Sequence, residues 1–146
     1  MDESIDNEVI IDRSSLSISA PMVVNELYDG ILYSGFFGNL DSARMRAICE
    51  AMLSLAKDKE ADFIIVDLSC TEIIDTPIAS LLLQTAAILK LTGVEIVFCG
   101  IQSLVARSIV NADMNLESLL FKKNLKTALG YCFNKLQLEI KQTQNA

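Results

Sequence analysis

At 146 residues the chain suits one domain with an ordinary core, because a chain of this size buries about 70% of its unfolded surface. A net charge of −7 repels phosphate backbones and anionic lipid, which argues against nucleic acid and membrane surfaces as partners. Histidine is absent, which removes the commonest general base, the Ser-His and Cys-His nucleophile pairs and most zinc sites together. Hydrophobic residues make up 51% of the chain, as fits helices packed on both faces of a sheet or a surface buried against partners.

Residues 1–20 are polar, acidic and serine-rich, broken only by Val9-Ile10-Ile11, and are expected to form a mobile arm. The opening Met1-Asp2-Glu3-Ser4 begins no signal peptide, and no apolar run reaches the ~18 residues of a membrane span, so a cytoplasmic protein is expected. Residues 21–27 read as a first strand. Asp29-Gly30 is a strong two-residue hairpin turn, and Ile31 to Phe37 returns antiparallel. Asp41 or Ser42 caps the next helix, whose apolar stripe is Met45, Ile48, Met52 and Leu55. Asp62 to Leu68 is a β-branched run that reads as a buried central strand. Pro77 to Leu91 is a leucine-rich helix ended by Gly93, and Val94 to Cys99 is another buried strand. A short helix over Ser103–Ala112 follows, and a last one is expected from about Lys122 to Ile140 with Leu125, Leu129, Cys132, Leu136 and Ile140 inward. The order β-β-α-β-α-β-α-(short β)-α gives an α/β domain over residues 21–141, a mixed four- to five-stranded sheet with about four helices, and a polar tail at 142–146. The cysteines, at 49, 70, 99 and 132, form no CxxC pair and read as buried reduced thiols.

In open α/β sheets, functional sites collect at the carboxyl ends of the strands. The loop from Ser69 to Pro77 lies there. Proline suits a first helical position and threonine before it is a capping residue, so Thr76 is expected to N-cap the Pro77–Leu91 helix. The same position accepts a phosphate, because the helix dipole and unpaired N–H groups favour an anion. In the second loop Ser103 is the candidate cap of the short helix, and Ser108 reads as an exposed position within it. Gly100 begins no GxxxxGK phosphate loop. Asp67, Glu72 and Asp75 gather near one strand end without a basic or nucleophilic companion and read as loop and cap residues. Arg44 and Arg46 read as surface charges. No metal, cofactor or catalytic residue is expected.

At these loops the chain resembles the STAS family, the sulphate-transporter and anti-sigma-factor-antagonist domain. The resemblance rests on Gly38-Asn39-Leu40-Asp41, Ile64 to Leu68, Ile74-Asp75-Thr76-Pro77-Ile78-Ala79, and the run from Leu91 through Gly100-Ile101-Gln102 to Val105-Ala106-Arg107-Ser108-Ile109-Val110. The last run is similar to the RsbR/RsbS branch that builds the stressosome. The resemblance implies a non-enzymatic, partner-switching phosphoprotein of a stress or signalling pathway. It implies phosphorylation at Thr76 by an RsbT-type serine/threonine kinase, and a second phosphorylatable position at Ser108. The expected partner surface is Asp75, Pro77, Ile78 and Ser103. The expected partners are that kinase and other STAS proteins, in a homo-oligomer or stressosome-like assembly. The family also supplies subunits to membrane-transport complexes, so a separate STAS subunit of a lipid transporter is the alternative role.

Overall fold

The computed structural model describes residues 22–37, 40–112 and 115–137. The expected arm at 1–20, the tail at 142–146 and Ile140 lie outside the described residues.

The chain opens with β1 (Met22–Tyr28) and β2 (Ile31–Phe37), paired antiparallel. Gly30 makes their turn at φ +85°, a left-handed conformation that glycine adopts without steric cost. Helix α1 (Ser42–Asp58) follows. Asp41 is its N-cap, accepting the Arg44 amide at 2.8 Å. Its expected stripe is inward: Met45, Ile48 and Met52 are buried, joined by Cys49 and Ala56, and Leu55 is partly buried. Then come β3 (Phe63–Cys70), α2 (Thr76–Leu91), β4 (Glu95–Cys99) and α3 (Ser103–Asn111). A 3-10 turn at Leu116–Ser118 leads into β5 (Leu120–Lys122) and α4 (Leu125–Lys135).

The five strands form one sheet in the order β1-β2-β3-β4-β5. From β2 to β5 neighbouring strands are parallel, and β1 alone runs against its neighbour. The mixed five-stranded sheet and four helices are the architecture expected from the order of elements. Alternation along the strands divides the core. Leu32, Phe36, Ile64, Val66, Leu68, Ile96 and Phe98 face α1, α2 and α3. Ile31, Phe63, Ile65, Val97 and Cys99 face α4. Phe63 meets the Tyr131 ring edge-on at 6.1 Å, and Phe98 stacks on Phe121 at 5.4 Å.

The last helix differs from expectation. It starts at Leu125, because the Asn124 side chain caps it by accepting the Thr127 amide at 2.9 Å. Lys122 belongs instead to β5, which pairs with β4 through Cys99. The helix ends at Lys135, and Gln137 takes a φ of +58°. Ala128 and Cys132 are its buried residues, while Leu125, Leu129 and Leu136 are partly buried. β5 is the short strand expected before this helix; at three residues it is too short to display a period of two, so its end at Lys122 is not marked in the sequence.

All four cysteines are free, but only Cys49, Cys99 and Cys132 are buried; Cys70, the last residue of β3, is exposed. The expectation of buried thiols fails there because β3 runs past the helices that cover its middle. Burial pushes the Cys99 and Cys132 thiols up to about 12, with Asp67 and Glu95 respectively adding to the effect. A disulfide-exchange reagent at pH 8 should therefore react rapidly at one site in the native protein. It should react at four sites after denaturation. Peptide mapping that places the fast label on any cysteine other than Cys70 would contradict this burial pattern.

Candidate functional site

The loop from β3 to α2 is held at both ends by buried side chains. Its first residue, Thr71, is fully buried and donates its amide to the Leu68 carbonyl at 3.1 Å. Ile74 and Ile78 are each 3% exposed and reach into the core shared with α1 and α3. Between them Asp75 and Pro77 are exposed and Thr76 is half-buried. The segment Asp75-Thr76-Pro77 therefore stands on two apolar anchors at the amino end of a 16-residue helix.

The start of α2 lies one residue earlier than expected. Asp75 is the N-cap, with extended φ/ψ of −76° and 156°, and its carbonyl accepts the Ala79 amide at 2.9 Å. Thr76 is the first helical residue and Pro77 the second. Proline is tolerated throughout the first turn, where amides have no intrahelical partner, so it did not fix the boundary to one position. The Asp75 carboxylate makes no capping bond. Ile78, expected on the partner surface, is instead buried, since it shares the inner face of α2 with Ala79 and Leu82. It supports that surface from beneath.

Helix α3 grips this loop from the side. The Ser108 hydroxyl donates to the Ile74 carbonyl, and also reaches the Leu104 carbonyl at 3.3 Å. The Gln102 side-chain amide donates to the Ser69 carbonyl at 2.8 Å. Ser108 is thus half-buried and bonded, not the exposed position read from sequence. The N-cap of α3 is Gln102, and Ser103 is exposed at the first helical position. Sequence inspection also missed Ile73 and Leu104, apolar residues 57% and 49% exposed that border this clasp. The signal for both was an apolar residue beside a loop, which is indistinguishable from core without the fold.

The three carboxylates do not act together. Asp67 is half-buried and accepts the Tyr33 hydroxyl at 2.8 Å and the Ser69 amide at 3.0 Å. Glu72 and Asp75 are exposed. Among the described residues no group of three His, Cys, Asp or Glu side chains is placed to hold a metal. Gly100 lies against Asp67: a Cβ there would stand 2.8 Å from the Asp67 Oδ1 and 3.0 Å from the Ser69 amide nitrogen, at a φ of +67°. Arg44 pairs with Asp41 at 3.7 Å on the surface, and Arg46 is exposed. No helix among the described residues is long and apolar enough to cross a membrane.

The model of the STAS domain matches residues 22–128. The chain belongs to the STAS domain family. RsbT co-antagonist protein RsbRA of Bacillus subtilis (strain 168) is 23% identical over 112 residues, which are 77% of this chain and 40% of that protein. The STAS chain therefore spans less than half the length of this curated relative. A solved structure of Moorella thermoacetica RsbS superposes with a TM-score of 0.69 at 19% identity, covering 79% of this chain and 97% of that one. A chain of the stressosome, a signal integration and transduction hub, gives 0.68 at 18% identity, covering 79% and 99%. Both share the fold.

Two outcomes follow from this geometry. Ser108→Ala removes the donor to Ile74 and should cost about 0.5–1.5 kcal/mol of stability. Amide exchange should accelerate at residues 72–76 and not in β4; uniform acceleration would show that the bond does not hold the loop locally. The second outcome concerns alkali. Burial, and then the bond to Asp67, push the Tyr33 phenol from 10.0 up to about 12. The folded state prefers the protonated phenol, so its contribution is complete below pH 10 and is lost as pH rises through about 12. The urea midpoint should fall across that window, and Tyr33→Phe should remove part of the fall. An unchanged slope in the variant would assign the loss elsewhere.

Proposed function

We propose that the STAS chain is a non-enzymatic partner-switching regulator whose binding surface is altered by phosphorylation at Thr76. The observation that carries this reading is the placement of Asp75-Thr76-Pro77, raised on buried Ile74 and Ile78 at the first turn of α2. A phosphate added there brings about −2 charge and three acceptor oxygens. The positive end of the α2 dipole favours it, while the neighbouring Asp75 carboxylate opposes it. The anchors on either side lie in the core, so the charge alters the surface around Thr76 without a need to unfold the helix. Asp75 and Ser103 present the polar part of that surface, with Pro77, Ile73 and Leu104 as apolar neighbours.

The names of the relatives support the class of partner. RsbRA is described as a co-antagonist of RsbT, and the structural neighbours are an RsbS and a stressosome chain. On this reading the partners are an RsbT-type serine/threonine kinase and other STAS proteins, in a homo-oligomer or stressosome-like assembly within the cytoplasm. Ser108 is the second candidate for modification. Its hydroxyl is engaged with Ile74, so a kinase must first open that bond. Modification is therefore expected to be slower at Ser108 than at Thr76.

Purified protein incubated with an RsbT-type kinase and ATP should gain phosphate at Thr76, and Thr76→Ala should lose it. Thr76→Glu should weaken binding to the kinase relative to the wild type. No label on Thr76 or Ser108, with the kinase active on another substrate, would refute the proposal.

A further inference from the structure

Helix α4 covers only part of its face of the sheet. Its contacts lie mainly over β3, β4 and β5, on Phe63, Ile65, Val97 and Cys99, and reach the hairpin end only at Ile31 and Tyr28. Beyond them, toward the carboxyl ends of β2 and β3, an open cavity of about 260 Å³ is lined by Tyr33, Phe37, Asp67, Ser69 and Cys70 among others. It lies across the sheet from the face that packs on α2, and nothing in the reading of Thr76 uses it.

The chemistry of this cavity is specific. Asp67 is a half-buried carboxylate, and each of its oxygens accepts one hydrogen bond, from the Tyr33 hydroxyl and from the Ser69 amide. A carboxylate has about four acceptor positions, so capacity remains on both oxygens. Among the described residues no lysine or arginine forms an ion pair with it. Two aromatic residues, Tyr33 and the 45% exposed Phe37, share the lining with this charge. Aromatic faces beside a carboxylate attract a cation with apolar flanks, through the ring quadrupole and the opposite charge together. The cavity is smaller and more open than the ~300–1,000 Å³ clefts that enclose small-molecule ligands. A side-chain tip delivered by a larger body fits it better, and a chain of net charge −7 favours a basic body.

We propose that Tyr33, Phe37 and Asp67 form a docking site for a basic side chain, arginine foremost, presented by a protein partner. The planar guanidinium matches both needs. It donates to the open positions of the carboxylate and lays its face against a ring.

The test is a titration of the isotope-labelled 146-residue chain followed by amide shifts at Ser69 and Tyr33. The probe is N-acetylarginine amide, with N-acetylcitrulline amide as its neutral isostere and agmatine as a free small cation. The arginine probe should give saturable shifts and the citrulline probe none. Asp67→Asn should weaken arginine binding about tenfold or more, the range for loss of a charge-assisted bond. Phe37→Ala should weaken it roughly two- to fivefold. Arg46→Gln, at an exposed position of α1 that does not line the cavity, should bind as the wild type does. Each variant is checked by circular dichroism for an intact fold, and Phe37→Ala, at a 45% exposed position, carries the test if Asp67→Asn does not fold. The proposal is overturned by the absence of saturable shifts, by equal binding of citrulline, or by wild-type affinity in folded Phe37→Ala or folded Asp67→Asn. Binding of agmatine without the capped arginine overturns it in favour of a free amine.

Discussion

Burial of β3 on both faces is the constraint from which the rest of the structure follows. Ile64, Val66 and Leu68 are covered by the helices of one side, and Phe63 and Ile65 by α4 on the other. A strand enclosed in this way cannot slip by one residue without exposing one set and burying Asp67 and Ser69 in the other. Its register with β2 and β4 is therefore fixed, and with it the point at which the chain leaves the sheet. The loop that follows inherits its position from that point. Ile74 and Ile78 then tie it to the same core as Val66 and Leu68. The Asp75-Thr76-Pro77 segment owes its place to packing several residues away.

Most of the fold was legible because its signals are local and repeated. The Asp29-Gly30 turn, the Met45-Ile48-Met52 stripe and the β-branched run before Asp67 each carry their own geometry, and each appears where expected. The STAS resemblance was legible for the same reason, in runs that are continuous in the chain. The misplacements share a different cause. Helix starts shift by a residue or two at little cost, and Asp75 and Gln102 take N-cap positions with no side-chain cap bond, so nothing in the chemistry of Thr76, Ser103 or Lys122 marks the boundary. Asp75, Gln102 and Asn124 prevailed. The role of Ser108 was invisible because its acceptor, Ile74, lies 34 positions away in sequence.

The candidate site separates two electrostatic environments at one end of the sheet. On the side of α2, Asp75 is exposed, and any charge placed near it is met by water and by the helix dipole. On the side of α4, Asp67 is partly withdrawn from solvent and oriented by Tyr33, whose phenol is pushed up to about 12 by burial first and by this carboxylate second. A charge has more effect in the second setting, where screening is weaker. The carboxylates that stand close in sequence thus serve opposite faces, and the sheet keeps them apart.

The two bonds from α3, Gln102 to Ser69 and Ser108 to Ile74, grip the loop near both its ends. Two fixed points on one rigid helix act as a gauge. The loop between them must match a distance set by α3, so its length is not free to drift. An inserted or deleted residue between Ser69 and Ile74 would break one grip or pull Ile74 from the core. Surface loops commonly tolerate such changes, and this one should not. Evolution can alter side chains along it but has little room to alter its length.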